Sequence, residues 1–139
     1  MFNKLFKTVY KKISFEDLQI ALSNSNDYII LNTLPTNRQM CLIKNTLPYQ
    51  TEETVINEFL NNYDFESKKF IIYGENTNDD TVDEKYSQIT GLGFTNVYLY
   101  RGGMFEWLTL QDIYGTDEFP TTSKLLDILQ YKPKRIFTP

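Results

Sequence analysis

Hydrophobic residues follow two patterns that alternate along the chain. Apolar runs at 28–31 and 70–73, and a third at 97–100 that follows Asn96, are typical of buried strands, the last expected over 96–100, and a shorter run lies at 41–43. Between them, apolar residues recur every three or four positions, which is the period of a helix buried along one face. Such helices are expected to begin at Ser14, Thr51, Thr81, Met104 and Thr121, the last running to Gln130. This alternation predicts an α/β domain with a central, mostly parallel β-sheet flanked by helices.

Polar residues mark the expected helix starts. Ser14 with Asp17, and Thr81 with Glu84, have the spacing of a capping box, in which two side chains satisfy free backbone N–H groups of the first turn. Thr51 is expected to cap the helix that follows it. These three positions therefore predict where the chain turns from loop into helix.

Length and composition suit one folded domain. The chain has 139 residues, 41% of them hydrophobic, and a domain of that size buries about two-thirds of its unfolded surface. No run approaches the roughly 18 apolar residues of a membrane span, and we expect no secretory signal. We assign residues 13–131 to the domain, with a basic segment at 1–12 and a basic tail at 132–139.

The net charge of −4 is unevenly distributed. Segment 1–12 carries +4 and the last nine residues carry +3, whereas 13–130 holds all 18 acidic residues and has a net charge of −11. An acidic body does not suit phosphate neutralisation, so no nucleic-acid partner is expected. The amino-terminal segment, with apolar residues at helical spacing between lysines, is expected to pack on the body, the alternative being an anionic membrane. The tail is expected to be solvated, with an acidic partner or nuclear import as alternatives.

The residues available for chemistry are few. Histidine is absent and Cys41 is the single cysteine, so neither a Cys-His pair nor a Ser-His-Asp triad can form. A zinc site would be unusual without histidine, and we expect no metal and no cofactor. Cys41 lies in an apolar run and is expected to be a packed core residue. A lone thiol fits a reducing compartment, so we expect an intracellular, cytoplasmic protein.

The stretch 70–107 has a distinctive order. An apolar strand is followed by a polar loop, a helix that ends at Gly93-Phe94, a strand at 97–99, the pair Gly102-Gly103, and Trp107. This order and spacing resemble the rhodanese-like domain family, and the likeness extends over most of 13–112. The resemblance implies the family's α/β fold and places Trp107 against the body of the domain.

The same resemblance shows where this chain departs from active members. The position of the catalytic cysteine, directly after the central strand, is Gly74. Asp79 and Asp80 stand where the family loop has an arginine, and Asn32-Thr33-Leu34 replaces the family's acid and arginine after an earlier strand. The seven residues 74–80 are closer in number to the loop of the related cell-cycle dual-specificity phosphatases. We therefore expect no catalytic residue and a degenerate active-site loop made of Gly74, Glu75, Asn76, Thr77, Asn78, Asp79, Asp80 and Thr81.

A loop that leads into a helix amino terminus presents N–H groups that can hold an oxyanion. Here the loop also carries the carboxylates of Glu75, Asp79 and Asp80. Two like charges about 5 Å apart repel each other by about 3 kcal/mol at an effective dielectric constant near 20. An external anion is therefore disfavoured. We expect Asp79 or Asp80, helped by Thr81, to fold back and accept the N–H bonds of the loop.

Three hypotheses of function follow. The first is a non-catalytic domain that binds a protein partner or serves regulation. The second is a regulatory domain that binds an anion or phosphate without chemistry. The third is an enzyme related to the sulfurtransferases or phosphatases that works through an unrecognised group.

Overall fold

Strands and helices alternate along the described part of the chain, as the hydrophobic pattern predicts. The computed structural model describes residues 9–139. Its helices and strands, in chain order, are α1 Phe15–Ser23, β1 Tyr28–Asn32, α2 Tyr49–Asn61, β2 Lys69–Tyr73, α3 Thr81–Gly91, β3 Val97–Tyr100 and α4 Gly103–Tyr114. The predicted α/β fold class is confirmed.

The three strands form a parallel sheet in the order β1-β2-β3. Ile71 in the central strand pairs with Ile30 on one side and Tyr98 on the other. Single parallel bridges from Thr46 to β1 and from Lys12 to β3 continue the pairing at both edges. Because all strands run the same way, their carboxyl ends meet at one edge of the sheet, where ligand sites of open α/β sheets usually lie.

Each face of the sheet has its own buried cluster. One cluster joins alternate strand residues to α1 and α4 and includes Leu18 and Trp107. The other joins the intervening strand residues to α2 and α3 and includes Ile56 and Ile89. Trp107 is fully buried and its indole N–H donates to the Pro120 carbonyl at 3.1 Å, so the expected packing of this residue is confirmed.

The starts of α1 and α2 test two of the three capping predictions. At α1 the capping box is confirmed, since Ser14 Oγ accepts from Asp17 N and Asp17 Oδ2 accepts from Ser14 N. At α2 the prediction is wrong. The helix begins two residues before Thr51, and the Thr51 hydroxyl donates to the Pro48 carbonyl at 2.9 Å.

The expected helix from Thr121 to Gln130 is wrong. Thr121 forms an antiparallel bridge with Ile43, and Thr122 N donates to the Leu42 carbonyl at 2.8 Å. These bonds use backbone groups that a helix would need, so only Ile128–Tyr131 forms a single 3-10 turn. The helical spacing of apolar residues in 121–130 is therefore overridden by backbone pairing with residues 42–43.

The segment 41–46 is held to the central strand by a buried phenol. Tyr73 Oη accepts from Ile43 N at 3.1 Å and shares a 2.7 Å hydrogen bond with the Thr46 hydroxyl. Burial raises the pKa of Tyr73, so the phenol stays protonated. Cys41 is buried and its thiol donates to the Ser123 carbonyl at 3.3 Å, which confirms its expected place in the core.

The prediction for segment 1–12 falls largely on residues 1–8, which lie outside the described residues. From Tyr10 onward the chain packs on the body, since the Tyr10 ring meets Tyr86 edge-on at 5.1 Å. Within residues 9–139, no helix is long and apolar enough to cross a membrane.

Candidate functional site

The loop between β2 and α3 lies at the carboxyl edge of the sheet, against the first turn of α4. Met104 N donates to the Gly74 carbonyl and Phe105 N to the Glu75 carbonyl, both at 2.9 Å. Gly103 makes this approach possible, because its φ is +64° and a Cβ there would lie 2.5 Å from the Gly74 carbonyl oxygen. The Gly-Gly pair therefore allows α4 to reach the loop.

Asp79 folds back into the loop. Its Oδ2 accepts from Glu75 N at 2.9 Å, and its Oδ1 accepts from Thr81 N at 3.0 Å and from the Thr81 hydroxyl at 2.5 Å. The prediction that a carboxylate of the chain accepts these N–H bonds is confirmed for Asp79. Asp80 has no such role, because it is exposed and its side chain makes no capping bond.

The capping box predicted for Thr81 and Glu84 is wrong. Thr81 is the first residue of α3 rather than the residue before it, and its hydroxyl lies 2.5 Å from Asp79 Oδ1 and 2.8 Å from Thr33 Oγ1 instead of facing the first turn of the helix. Asp79 satisfies the N–H of Thr81 from outside the helix, as an Asx turn does.

The Asp79 carboxylate occupies the space in which a side chain at position 74 would stand. A Cβ on Gly74 would overlap Asp79 Oδ2 and would lie 2.9 Å from both Asp79 Cγ and Thr33 Oγ1. Any side chain larger than hydrogen therefore requires Asp79 to move and to give up its bonds to the loop. The glycine and the aspartate are thus matched to each other.

Arg38, which the sequence reasoning did not assign to the site, crosses the mouth of the loop. Its guanidinium pairs with the Glu75 carboxylate at 3.0 Å, donates to the Gln130 carbonyl, and lies 5.2 Å from the centre of the Tyr131 ring. Glu75 is therefore neutralised by an arginine from outside the loop. This corrects the expectation that three uncompensated carboxylates surround the loop.

Of the remaining loop residues, Asn76 makes hydrogen bonds and the next two are exposed. Asn76 accepts from Asn78 N through its side-chain oxygen at 2.9 Å and donates to the Tyr131 carbonyl at 2.8 Å. Thr77 and Asn78 are exposed. Together with Arg38, Asn76 fastens the chain near Tyr131 across the loop.

A cleft of about 900 Å³ opens over this arrangement. Carboxylates of the loop and the guanidinium of Arg38 line one part of it, and Lys132, Lys134 and the aliphatic Leu129 and Ile136 line another. The basic tail thus forms one wall of the cleft. In the part of the chain that the structure describes, no three thiol or carboxylate groups come together to hold a metal ion.

The turn that leads into α4 is fixed by a second buried phenol. Tyr100 Oη donates to Glu106 Oε1 at 2.6 Å. Burial, reinforced by this bond, raises the pKa of Tyr100 and keeps the donor proton in place. Arg101, at the start of the same turn, pairs with Asp83 and lies over the Tyr10 ring at 5.4 Å from its centre.

One signal could have drawn attention to Arg38. Arg38 and Arg101 are the two arginines in 13–130, and Arg38 follows β1, after which active members of the rhodanese-like family that the sequence resembles carry an arginine. No comparable signal marks Gln130 and Tyr131, because their carbonyls reach the site through backbone groups that any residue carries.

The fold is shared with solved structures of low sequence identity. A full-length protein from Lactobacillus plantarum matches with a TM-score of 0.57 and 18% identity, over 81% of this chain and 88% of that one. The rhodanese-like domain of the Alr3790 protein from Anabaena sp. matches with a TM-score of 0.51 and 18% identity, over 94% and 90%. An As-Sb reductase from Leishmania major matches with a TM-score of 0.51 and 16% identity, over 76% and 79%.

These likenesses define the class of fold. The chain has a rhodanese-like α/β fold, as the order of residues 70–107 indicates. No family model and no curated protein matches the sequence.

Asp79→Ala is expected to lower the free energy of unfolding by about 1–2 kcal/mol, because the N–H groups of Glu75 and Thr81 lose their acceptor. Asp80→Ala is the matched control and should be close to neutral, since it removes the same charge from an exposed side chain. Urea melts of both variants check this. Equal melts of Asp79→Ala and the parent would show that the carboxylate contributes nothing to the loop.

The same urea melts can test whether a side chain at position 74 competes with Asp79 for space. Gly74→Ala should destabilise the parent by about 1 kcal/mol or more but should cost less in the Asp79→Ala background, where the new methyl group has room. Additive effects of the two substitutions would contradict the overlap.

Proposed function

We propose that this chain is a non-catalytic rhodanese-like domain that acts as a protein-interaction or regulatory module. The observation that carries the proposal is the Asp79 carboxylate, which fills the space next to Gly74 where active relatives carry the side chain of their nucleophile. Gly74 itself offers no sulfur that could receive a sulfane atom. The buried Cys41 thiol has no histidine anywhere in the chain to activate it.

The first experiment is a sulfur-transfer assay from thiosulfate to cyanide. We expect no turnover above a heat-treated control, because no accessible nucleophilic thiol is present at the loop. Turnover that persists in Cys41→Ser would overturn the proposal in favour of an unrecognised group. Turnover lost in that variant would identify Cys41 as the nucleophile and would equally overturn it.

Restoring the thiol alone is not expected to restore activity. In Gly74→Cys the new side chain meets Asp79, and the carboxylates of Asp79 and Asp80 disfavour a thiolate. The introduced thiol should therefore titrate near or above the free value of about 8.5. A pH profile of its alkylation measures this, and a midpoint well below that value would show that the N–H groups of the loop outweigh the carboxylates.

A regulatory domain that binds an anion or phosphate is the second candidate, favoured by one specific observation. Arg38, Lys132 and Lys134 line the cleft over the loop, so cations are available beside the carboxylates. Such a ligand would bind to these side chains at the mouth of the cleft rather than to the loop N–H groups that Asp79 already holds. An enzyme of related fold is a further alternative, since one structural neighbour is named an As-Sb reductase.

Titration with inorganic phosphate, followed by amide NMR shifts, separates these candidates. For the interaction module we expect unchanged resonances of Glu75 and Thr81, because both amides already donate to Asp79. Shifts near Arg38 and Lys132 that disappear in Lys132→Glu/Lys134→Glu would support the anion-binding candidate. The matched charge control is Lys44→Glu/Lys124→Glu, which changes two exposed lysines outside the cleft.

A further inference from the structure

Residues 125–131, which we call the strap, lie against the loops at the carboxyl edge of the sheet and lead into the basic tail. Within the described part of the chain, only two hydrogen bonds join the strap and the tail to the rest of the body. Arg38 donates to the Gln130 carbonyl, and the Asn76 side chain donates to the Tyr131 carbonyl at 2.8 Å. Both donors therefore hold the same end of the strap.

Apolar packing of the strap depends mainly on one aromatic ring. Tyr131 is 2% exposed and belongs to the buried cluster of α1 and α4, whereas Leu126 and Leu129 are 85% and 62% exposed. Leu125 and Ile128 are only partly buried against that cluster. A segment with so few buried contacts and hydrogen bonds opens at a lower free energy than the domain as a whole.

Arg38 makes three contacts at this point, and the strap takes part in two of them. Its guanidinium pairs with the Glu75 carboxylate at 3.0 Å, donates to the Gln130 carbonyl and lies 5.2 Å from the centre of the Tyr131 ring. Because Glu75 belongs to the loop after β2, one guanidinium connects the loop to the strap. Residues of the loop, the strap and the tail line the same cleft, so a movement of the strap changes the width of that cleft.

The thiol of Cys41 lies next to both ends of the strap. It is buried and donates to the carbonyl of Ser123, two residues before the strap, at 3.3 Å. At the other end, burial and, after it, the neighbouring Cys41 thiol raise the pKa of the Tyr131 hydroxyl. The accessibility of Cys41 to a reagent therefore reports whether the strap is in place.

We propose that the strap is a movable cover that closes the cleft over the loop 74–80, with Arg38 and Asn76 as its latch. When the strap opens as a unit, both donors are freed for acceptor groups of another molecule, and the tail leaves the cleft with the strap. A molecule that binds these donors must first displace two backbone carbonyls, so the closed strap lowers its affinity. This movement is separate from the chemistry of the loop and holds whether or not the domain transfers sulfur.

Alkylation of Cys41 by iodoacetamide, at one fixed pH, measures opening in the intact chain. We expect slow modification without denaturant, at a rate that changes little up to about 1 M urea, because a local opening exposes much less surface than global unfolding. A rate that follows the global unfolding equilibrium at every urea concentration would overturn the proposal, as would a rate equal to that of a free thiol.

Arg38→Lys tests the first half of the latch. Lysine keeps the charge beside Glu75 but lacks the planar fork that also holds a strap carbonyl and covers the aromatic ring, so alkylation should become roughly tenfold faster. Arg101→Lys is the matched control, because Arg101 makes the same kinds of contact with Asp83 and the Tyr10 ring, away from the strap. The control should stay within about twofold of the parent rate, and identical rates in the two variants would contradict the latch.

Asn76→Asp tests the second half of the latch. One side-chain oxygen can still accept from Asn78 N, but the donor to the Tyr131 carbonyl is replaced by a charged acceptor, so alkylation should again be roughly tenfold faster. Asn78→Asp adds the same charge on an exposed side chain two residues away and should leave the rate near that of the parent. Equal rates in these two variants would show that Asn76 does not hold the strap.

Amide NMR shifts separate movement of the strap from disruption of the loop. In both latch variants the amides of Gln130 and Lys132 should move toward the values of a solvent-exposed chain. The amide of Thr81 should keep its position, because it donates to Asp79, which neither variant changes. Comparable changes at Thr81 would mean that the loop itself opens, and they would overturn the separate movement of the strap.

Discussion

Backbone N–H groups at the end of β2 need acceptors, and the way in which they are satisfied shapes the carboxyl edge of this sheet. A turn from strand into helix exposes several donors toward the same point. Here the Asp79 carboxylate takes the donors of Glu75 and Thr81, while the loop carbonyls receive Met104 N and Phe105 N from α4. Loop, α3 and α4 are thereby joined into one closed set of hydrogen bonds, with Gly74 and Gly103 at the two points of closest approach.

The negative charge of Glu75 in this loop is balanced by an arginine that lies far away in the sequence. Arg38 neutralises Glu75 and at the same time holds the chain near Gln130 and Tyr131, so one guanidinium links the loop after β1, the loop after β2 and the carboxyl-terminal segment. The side chains of Arg38 and Glu75 are both about one-third exposed, and an ion pair of that exposure contributes about 1 kcal/mol or less on its own. Its structural value lies in the three segments that it positions together.

The sequence predicts the elements whose pattern is local and misses those decided by distant contacts. The strands at 28–31, 70–73 and 96–100 and the Ser14 capping box could be predicted because neighbouring residues determine them. The helix expected at 121–130 could not be rejected, because the backbone bonds that prevent it come from Leu42 and Ile43. In the site, the fold-back of Asp79 follows from the need for an acceptor, whereas the arrival of Arg38 depends on tertiary structure.

The uneven distribution of charged residues along the chain can be related to their positions in the fold. In the loop after β2, the Asp79 carboxylate accepts the N–H groups that point into it, and Glu75 is paired with Arg38. Exposed large apolar side chains lie elsewhere, among them Ile136 and Phe137 on the tail and Ile113 and Tyr114 on α4. In a domain with satisfied internal polar groups, recognition of other molecules falls to such surfaces, because only there does contact add bonds that the folded chain lacks.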